Sequence, residues 1–375
     1  MSKTNYKRLG DYIREVDVRN RNLKVTKLLG VSISKEFMPS IANTIGTDMS
    51  SYKVVEPRQF AYGPVTSRNG DKVSIALYKD GEKAIVSQAY TIFEVTNKLE
   101  LLPEYLMMWF RRPEFDRYAR FKSHGSAREI FSWEEMCDVE LPIPPIDQQQ
   151  KIVAEYNAIQ QRIKLNEQLI VKLEETAQAI YRKMFVDGID KNNLPEGWRM
   201  GTLKEIAEII MGQSPNGESY NENGAGEIFY QGRTDFRYRY PIVRIYTTNP
   251  TRMAKCGDIL LSVRAPVGDI NLAPHNCCIG RGLSALRNKK NYNSFLFYLL
   301  KNKKNDFNIS NDDGTIFGSI TRNDLCELNI VIPQDDFVQE FNNKSKILDR
   351  QIKYFDKEIF MLTKLQSLLL AKMGQ

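Results

Sequence analysis

Sliding the sequence along itself by 189 positions lays GSAREIFSWEEMCDVELPIP (125–144) on GTIFGSITRNDLCELNIVIP (314–333) without a gap. Gly125 falls on Gly314, Cys137 on Cys326, and Ile143-Pro144 on Ile332-Pro333. Ser126 meets Thr315, Glu135 meets Asp324 and Asp138 meets Glu327, so chemistry is kept where identity is lost. Twice that offset is almost the whole length of 375 residues, and each copy runs on into a long helix-forming stretch. Such a duplication constrains the fold to two versions of one module. It also points to a target that is read at two places.

The helices follow the repeat. After LPIPP (141–145), whose prolines can precede a helix but not continue one, Asp147 is a plausible N-cap. From there Ile152, Tyr156, Ile159, Ile163, Asn166, Ile170, Leu173, Ala177, Ile180 and Met184 step by four and three. Adding 189 gives Phe341, Ser345, Leu348, Ile352, Phe355, Ile359, Leu362, Gln366, Leu369 and Met373 in the same register. Sustained spacing of this kind is a coiled-coil seam. The chain direction predicts antiparallel pairing, about an approximate twofold axis, with one globular block at each end. Asn166, Ser345 and Gln366 are polar seam positions able to set register. The competing reading is two amphipathic surface helices on separate domains. Four blocks result, in an α+β chain of two mixed α/β globular domains joined by two long helices: 1–146, helix 147–185, 186–335 and helix 336–375.

Composition allows ordinary cores, with 42% hydrophobic and 26% charged residues. No apolar run approaches the length of about 18 residues that a membrane span needs. MSKTNYKRLGDYIREVD has no signal-peptide core, and five cysteines without a CxxC pair suit a reduced, cytoplasmic setting. The net charge of +7 means less than its distribution. RRPEFDRYARFKSHGSAR (111–128) holds six basic and two acidic residues, and RTDFRYRYPIVRIYTTNPTR (233–252) five arginines against one aspartate. Basic density beside aromatics suits a polyanion. A solvated basic face is the plainer reading of either segment.

Within the globular blocks, VSIALY (73–78) and AIVSQAYTIFEV (84–95) read as strands and LPEYLMMWF (102–110) as a short helix. TLKEIAEIIMG (202–212) resembles RLGDYIREVDV (8–18), and both read as an opening helix. A Gly/Asn/Ser-rich stretch (213–236) follows in the second copy. FRYRYPI (236–242) reads as a strand with Phe236, Tyr238 and Tyr240 on one face, leaving Arg237 and Arg239 to face phosphates. An edge strand with basic gatekeepers gives the same pattern. Arg264 and Arg281 sit at the ends of apolar strands, with Arg68 and Gln88 at the matching places in the first copy. Arg and Gln can each pair bidentately with a base edge. Both also serve as structural hydrogen-bonding groups.

Several segments together resemble the specificity subunit of type I restriction–modification systems. They are LPEGW followed by MGQSPNGESYNE, FYQG, GDILLSVRAPVGDI and IGRGLSAL, with LPIPPIDQQQKIV and NIVIPQDDFVQEF leading into the helices. The likeness runs over practically the whole chain. It implies two target-recognition domains reading the halves of a bipartite DNA sequence, with the helices as a ruler. It also implies partners: double-stranded DNA, two methyltransferase subunits and, in the full complex, restriction subunits. S-adenosylmethionine and ATP would belong to those partners, with no cofactor on this chain. The residues it places near DNA are Gln213, Ser214, Tyr230, Gln231, Arg233, Arg264 and Arg281, with Arg68 and Gln88 as counterparts. The first block departs from the pattern, having no GQSP-like loop after its opening helix.

Absent chemistry agrees with a non-catalytic role. The sequence holds no GxxxxGK[ST] loop, no NPPY- or DPPY-like motif and no Pro-Asp pair. His124 and His275 lack metal-spaced partners and a nucleophile context. Cys277-Cys278 reads as a buried pair at a strand end. The rival readings are a structural adaptor whose lobes bind proteins, and an enzyme with an unrecognised site.

Overall fold

The protein is described by a computed structural model covering residues 6–40, 46–67, 69–70, 72–125, 128–304, 307 and 319–374. The chain divides into two compact units, Met1–Arg162 with Leu362–Gln375, and Ile163–Met361. Each unit therefore holds one globular lobe and one stretch of both long helices.

The first lobe is organised by a four-stranded antiparallel sheet in the order Ile13–Val16, Thr91–Val95, Phe60–Tyr62, Ile75–Leu77. Successive side chains on a strand face opposite ways, and the two faces feed two cores. Phe60, Tyr62, Ile75, Leu77 and Phe93 join the larger core with the helices Pro103–Phe110 and Pro113–Lys122. Ala61, Ala76 and Ile92 turn to the smaller one, with Val31, Val55 and Val86. Phe60 and Phe93 lie opposite each other and stack at 4.8 Å. Gln149, fully buried on the first long helix, accepts a hydrogen bond from Leu102 N and donates to the Glu100 and Pro144 carbonyls.

The second lobe repeats this frame. Its four-stranded sheet runs Ala207–Met211, Leu283–Asn288, Ile259–Ser262, Ile270–Leu272, the same chain order of first, last, second, third. Ile259, Leu261 and Leu286 face the core that holds Phe295 and Phe341, while Leu260 and Ala285 face the other side with Tyr230 and Ile279. A five-stranded sheet is added there: Tyr220–Asn221, Ile245–Thr247, Glu227–Tyr230, Cys277–Ile279, Met253–Ala254. The most faithful copies flank the helices. Trp133–Cys137 and Arg322–Cys326 are both short helices, and the strand after each pairs with the strand that opens its lobe.

The long helices run Ile146–Phe185 and Asp335–Lys372, and the first at 40 residues spans about 60 Å. It begins at Ile146, so Asp147 lies in its first turn and not at the cap. In the first unit Ile152 and Tyr156 share a core with Leu369, Leu370 and Met373, and Ile159 and Leu362 are half-buried. In the second, Ile163, Ile170 and Leu173 meet Ile352, Phe355 and Ile359, Leu348 joins the lobe core, and Tyr181 meets Phe341 at 5.6 Å. The beginning of one helix meets the end of the other in both units, so the pairing is antiparallel. Asn166 is fully buried in the seam with neither amide atom hydrogen-bonded, and Ser345 Oγ donates to the Asn342 carbonyl.

Two local expectations differ. The opening helices are single turns, Leu9–Asp11 and Leu203–Ile206, and the apolar residues after them form strands. FRYRYPI is not a strand; it is a loop fastened by the Asn271 amide, which accepts from Arg237 N (3.2 Å) and donates to the Arg237 carbonyl (3.0 Å). Its alternation broke because Arg239, not the tyrosines, is the residue wholly removed from solvent.

Candidate nucleic-acid interface

Three segments of the second lobe cross at backbone distance. Gly212 N donates to the Leu283 carbonyl (2.9 Å), Gln213 N to Ile279 (3.0 Å) and Gly280 N to Tyr230 (2.9 Å). The crossing requires glycine. A Cβ on Gly212 would stand 2.1 Å from the Gly280 carbonyl oxygen, and one on Gly280 or Gly282 would stand 2.9 Å from that of Gln231. Gln213, Gln231 and Arg281, which flank this crossing, are exposed, and the half-buried Ser214 hydroxyl accepts from Arg281 N (3.3 Å). Val263 N donates to the Gly282 carbonyl (3.0 Å), which brings in the turn that carries exposed Arg264.

Charge on this surface is largely unspent. Arg237, Arg252, Arg264 and Arg281 are exposed and form no ion pair among the described residues. Arg252 was not singled out from the sequence, yet its carbonyl accepts from Ile279 N (2.9 Å), at the root of the same turn. Arg233 is exposed but bonded to Asp269 at 2.7 Å, where Lys304 also binds. Burial raises the Asp269 carboxyl, but the Lys304 and Arg233 hydrogen bonds outweigh it and hold it below its ordinary range. A cavity of about 550 Å³ lies beside them, bounded by Arg233, Arg237, Lys301 and Lys304 and by Glu167, Glu174 and Asp269. Its mixed charges mark no anion site.

Two expected contacts lie in the interior. Tyr230 is 0% exposed within the core that holds Leu260 and Ile279; desolvation pushes its hydroxyl pKa well up. Arg239 is also 0% exposed, drawn inward by Glu174 and Asp349 and lying over the Phe297 ring. Neither can reach a ligand at the lobe surface.

In the first lobe, exposed Gln88 occupies the turn between Ala84–Val86 and Thr91–Val95. That is the counterpart of the Arg281 turn, between Cys277–Ile279 and Leu283–Asn288. Arg68 lies outside the described residues. The basic segment 111–128 is largely paired: Arg111 with Glu36, Arg112 and Arg117 with Glu114, Arg120 with Glu129 and Lys122 with Glu135. His124 and His275 are exposed, and among the described residues no cluster of His, Cys, Asp and Glu forms a metal site. Cys277 and Cys278 are both buried in their strand.

The second long helix also carries an outer apolar stripe. Ile347, Tyr354 and Met361 recur every seventh residue and are all exposed, and Leu368 continues the spacing. The same interval is present in the sequence.

The family profile described as the type I restriction modification DNA specificity domain matches twice, over residues 32–175 and 195–367. A candidate type I restriction enzyme specificity subunit, MjaX, from Methanocaldococcus jannaschii is 28% identical over 298 residues, 76% of this chain and 70% of that protein. The MjaIX specificity subunit of the same organism is 23% identical over 305 residues, covering 73% and 68%. The crystal structure of a type I restriction–modification S subunit from M. genitalium has the same fold, with a TM-score of 0.58 at 15% identity over 99% of this chain and 96% of that one.

Proposed function

Since the chain belongs to the type I restriction modification DNA specificity family, we propose that its lobes read the two halves of one bipartite DNA site while its paired helices set the distance between them. The chain is the DNA-specificity subunit of its system and is not itself an enzyme. The observation that carries the reading is the glycine-dependent crossing that brings the segments of Gln213, Ser214, Gln231, Arg264 and Arg281 together at backbone distance. Arg and Gln there suit base edges in the major groove, while Arg237, Arg252 and Arg233 suit phosphates. In the first lobe the turn with Gln88 takes the same place.

Two methyltransferase subunits supply the catalysis, with restriction subunits joining them in the full complex. S-adenosylmethionine and ATP are bound by those partners. The outer stripe with Ile347, Tyr354 and Met361 offers them apolar anchors at the spacing by which helices associate. The complex works on DNA in the cytoplasm.

Phosphate contacts release counterions, so the logarithm of the binding constant falls with that of salt, with a slope of about −0.9 per contact. A salt series of gel shifts with the assembled complex should give a slope of roughly −4 or steeper. Binding that does not respond to salt would remove the phosphate-contact reading.

A further inference from the structure

Among the described residues Arg239 is the largest side chain with no solvent exposure, and its surroundings come from three directions. Nη1 lies 3.3 Å from Glu174 on the first long helix, and Nη2 lies 2.5 Å from Asp349 on the second. The guanidinium sits 3.6 Å from the centre of the Phe297 ring, on the lobe helix Asn293–Asn302. Both carboxylates are held in turn. Asp349 accepts from Ser294 Oγ (2.5 Å) and Tyr298 Oη (3.3 Å), and Glu174 from Lys301. The Arg239 carbonyl accepts from Leu272 N at 2.8 Å, tying the same residue to the lobe sheet.

Buried ion pairs are poor sources of stability, since desolvation offsets the attraction and apolar groups of similar volume often do as well. What the planar guanidinium fork provides is direction, because its donors are fixed relative to one another. Here the fork joins both helices to the loop that carries Arg233, Arg237 and Tyr238. At the repeat-related helix positions of the first copy stand Gln160 and Thr363, which carry no charge, so this fastening belongs to the second copy alone.

We propose that Arg239 is a positioning residue: held by Glu174 and Asp349, it sets the angle at which the second lobe offers its loops, and so the half-site spacing the subunit accepts. The proposal rests on the bipartite reading above. Methylation would be measured with the complete complex on DNA carrying the site mapped from genomic methylation, with its spacer native or changed by one base pair. Wild type should prefer the native spacer strongly, because a misplacement of about 1 Å can cost about a hundredfold in rate. Arg239→Met should lower that preference about tenfold while leaving the bases read in each half unchanged, and Arg239→Lys should fall between. A purely structural role would lower methylation equally on every spacer.

Should Arg239→Met fail to fold, Asp349→Glu, which keeps the charge and moves it by one methylene, carries the same expectation. Strict spacing in wild type and in the folded variants alike overturns the role of Arg239 and leaves the ruler intact. A wild type indifferent to spacer length overturns both.

Discussion

In the first lobe Arg111, Arg112, Arg117, Arg120 and Lys122 each lie against a carboxylate, whereas in the second Arg237, Arg252, Arg264 and Arg281 pair with none among the described residues. Buried cations differ in the same spirit. Lys35 of the first lobe binds Asp116 at 2.7 Å and lies near the Phe115 ring, entirely within its own lobe. Arg239 of the second reaches out to both long helices. The two lobes share a sheet order, so their frame is common property. Their cations show how one frame serves different ends: in one place charge is neutralised by carboxylates of the same lobe, in the other it is left available or used as a fastener. Counting basic residues along the sequence could not separate these uses.

The largest effect should come from the buried pairs. Asp116 is mostly buried, and burial already lowers the Lys35 pKa against the opposing pull of Asp116. Asp116→Ala would strand that ammonium and the Val73 N–H, and should cost about 3–5 kcal/mol in denaturant unfolding. A cost below about 1 kcal/mol, the range of exposed pairs, would show that the buried Lys35–Asp116 pair contributes no more than a surface one.

A smaller effect tests the second lobe's open surface. Arg281→Ala should weaken DNA binding by about 1–3 kcal/mol and relax specificity in one half-site, leaving the other intact, as read by competition binding with substituted sites. Equal loss across all sequences would demote Arg281 to a phosphate contact. Smallest of all should be Arg120→Ala in the first lobe. With Glu129 as partner and both half-exposed, its loss should change stability by less than about 1 kcal/mol and DNA affinity hardly at all. A marked drop in affinity would mean that the paired segment 111–128 faces DNA after all.

Much of this fold could be read from the chain. The repeat and the seam through Ile163, Ile170, Ile352 and Ile359 were visible because apolar periodicity records burial directly. The strand Ile75–Leu77 and the helix Pro103–Phe110 were legible for the same reason. The loops around Gln213, Gln231 and Arg281 stood out through the family motifs they carry, and the structure adds that Gly212, Gly280 and Gly282 meet there at backbone distance. Legibility failed at FRYRYPI, where alternation suggested a strand with outward arginines. Arg239 turned inward because Glu174 and Asp349 wait there, 65 and 110 residues away in sequence. Local pattern carries no trace of partners so distant. Tyr230 failed for a simpler reason: an aromatic beside a loop is more often core than contact.

The most direct test exchanges residues 186–335 for the corresponding lobe of another family member and maps methylation across the genome of a strain carrying the complete system. A new recognition sequence is expected, in which one half-site changes and the other half-site is retained. Changes in both halves, or an unaltered sequence, would contradict this expectation.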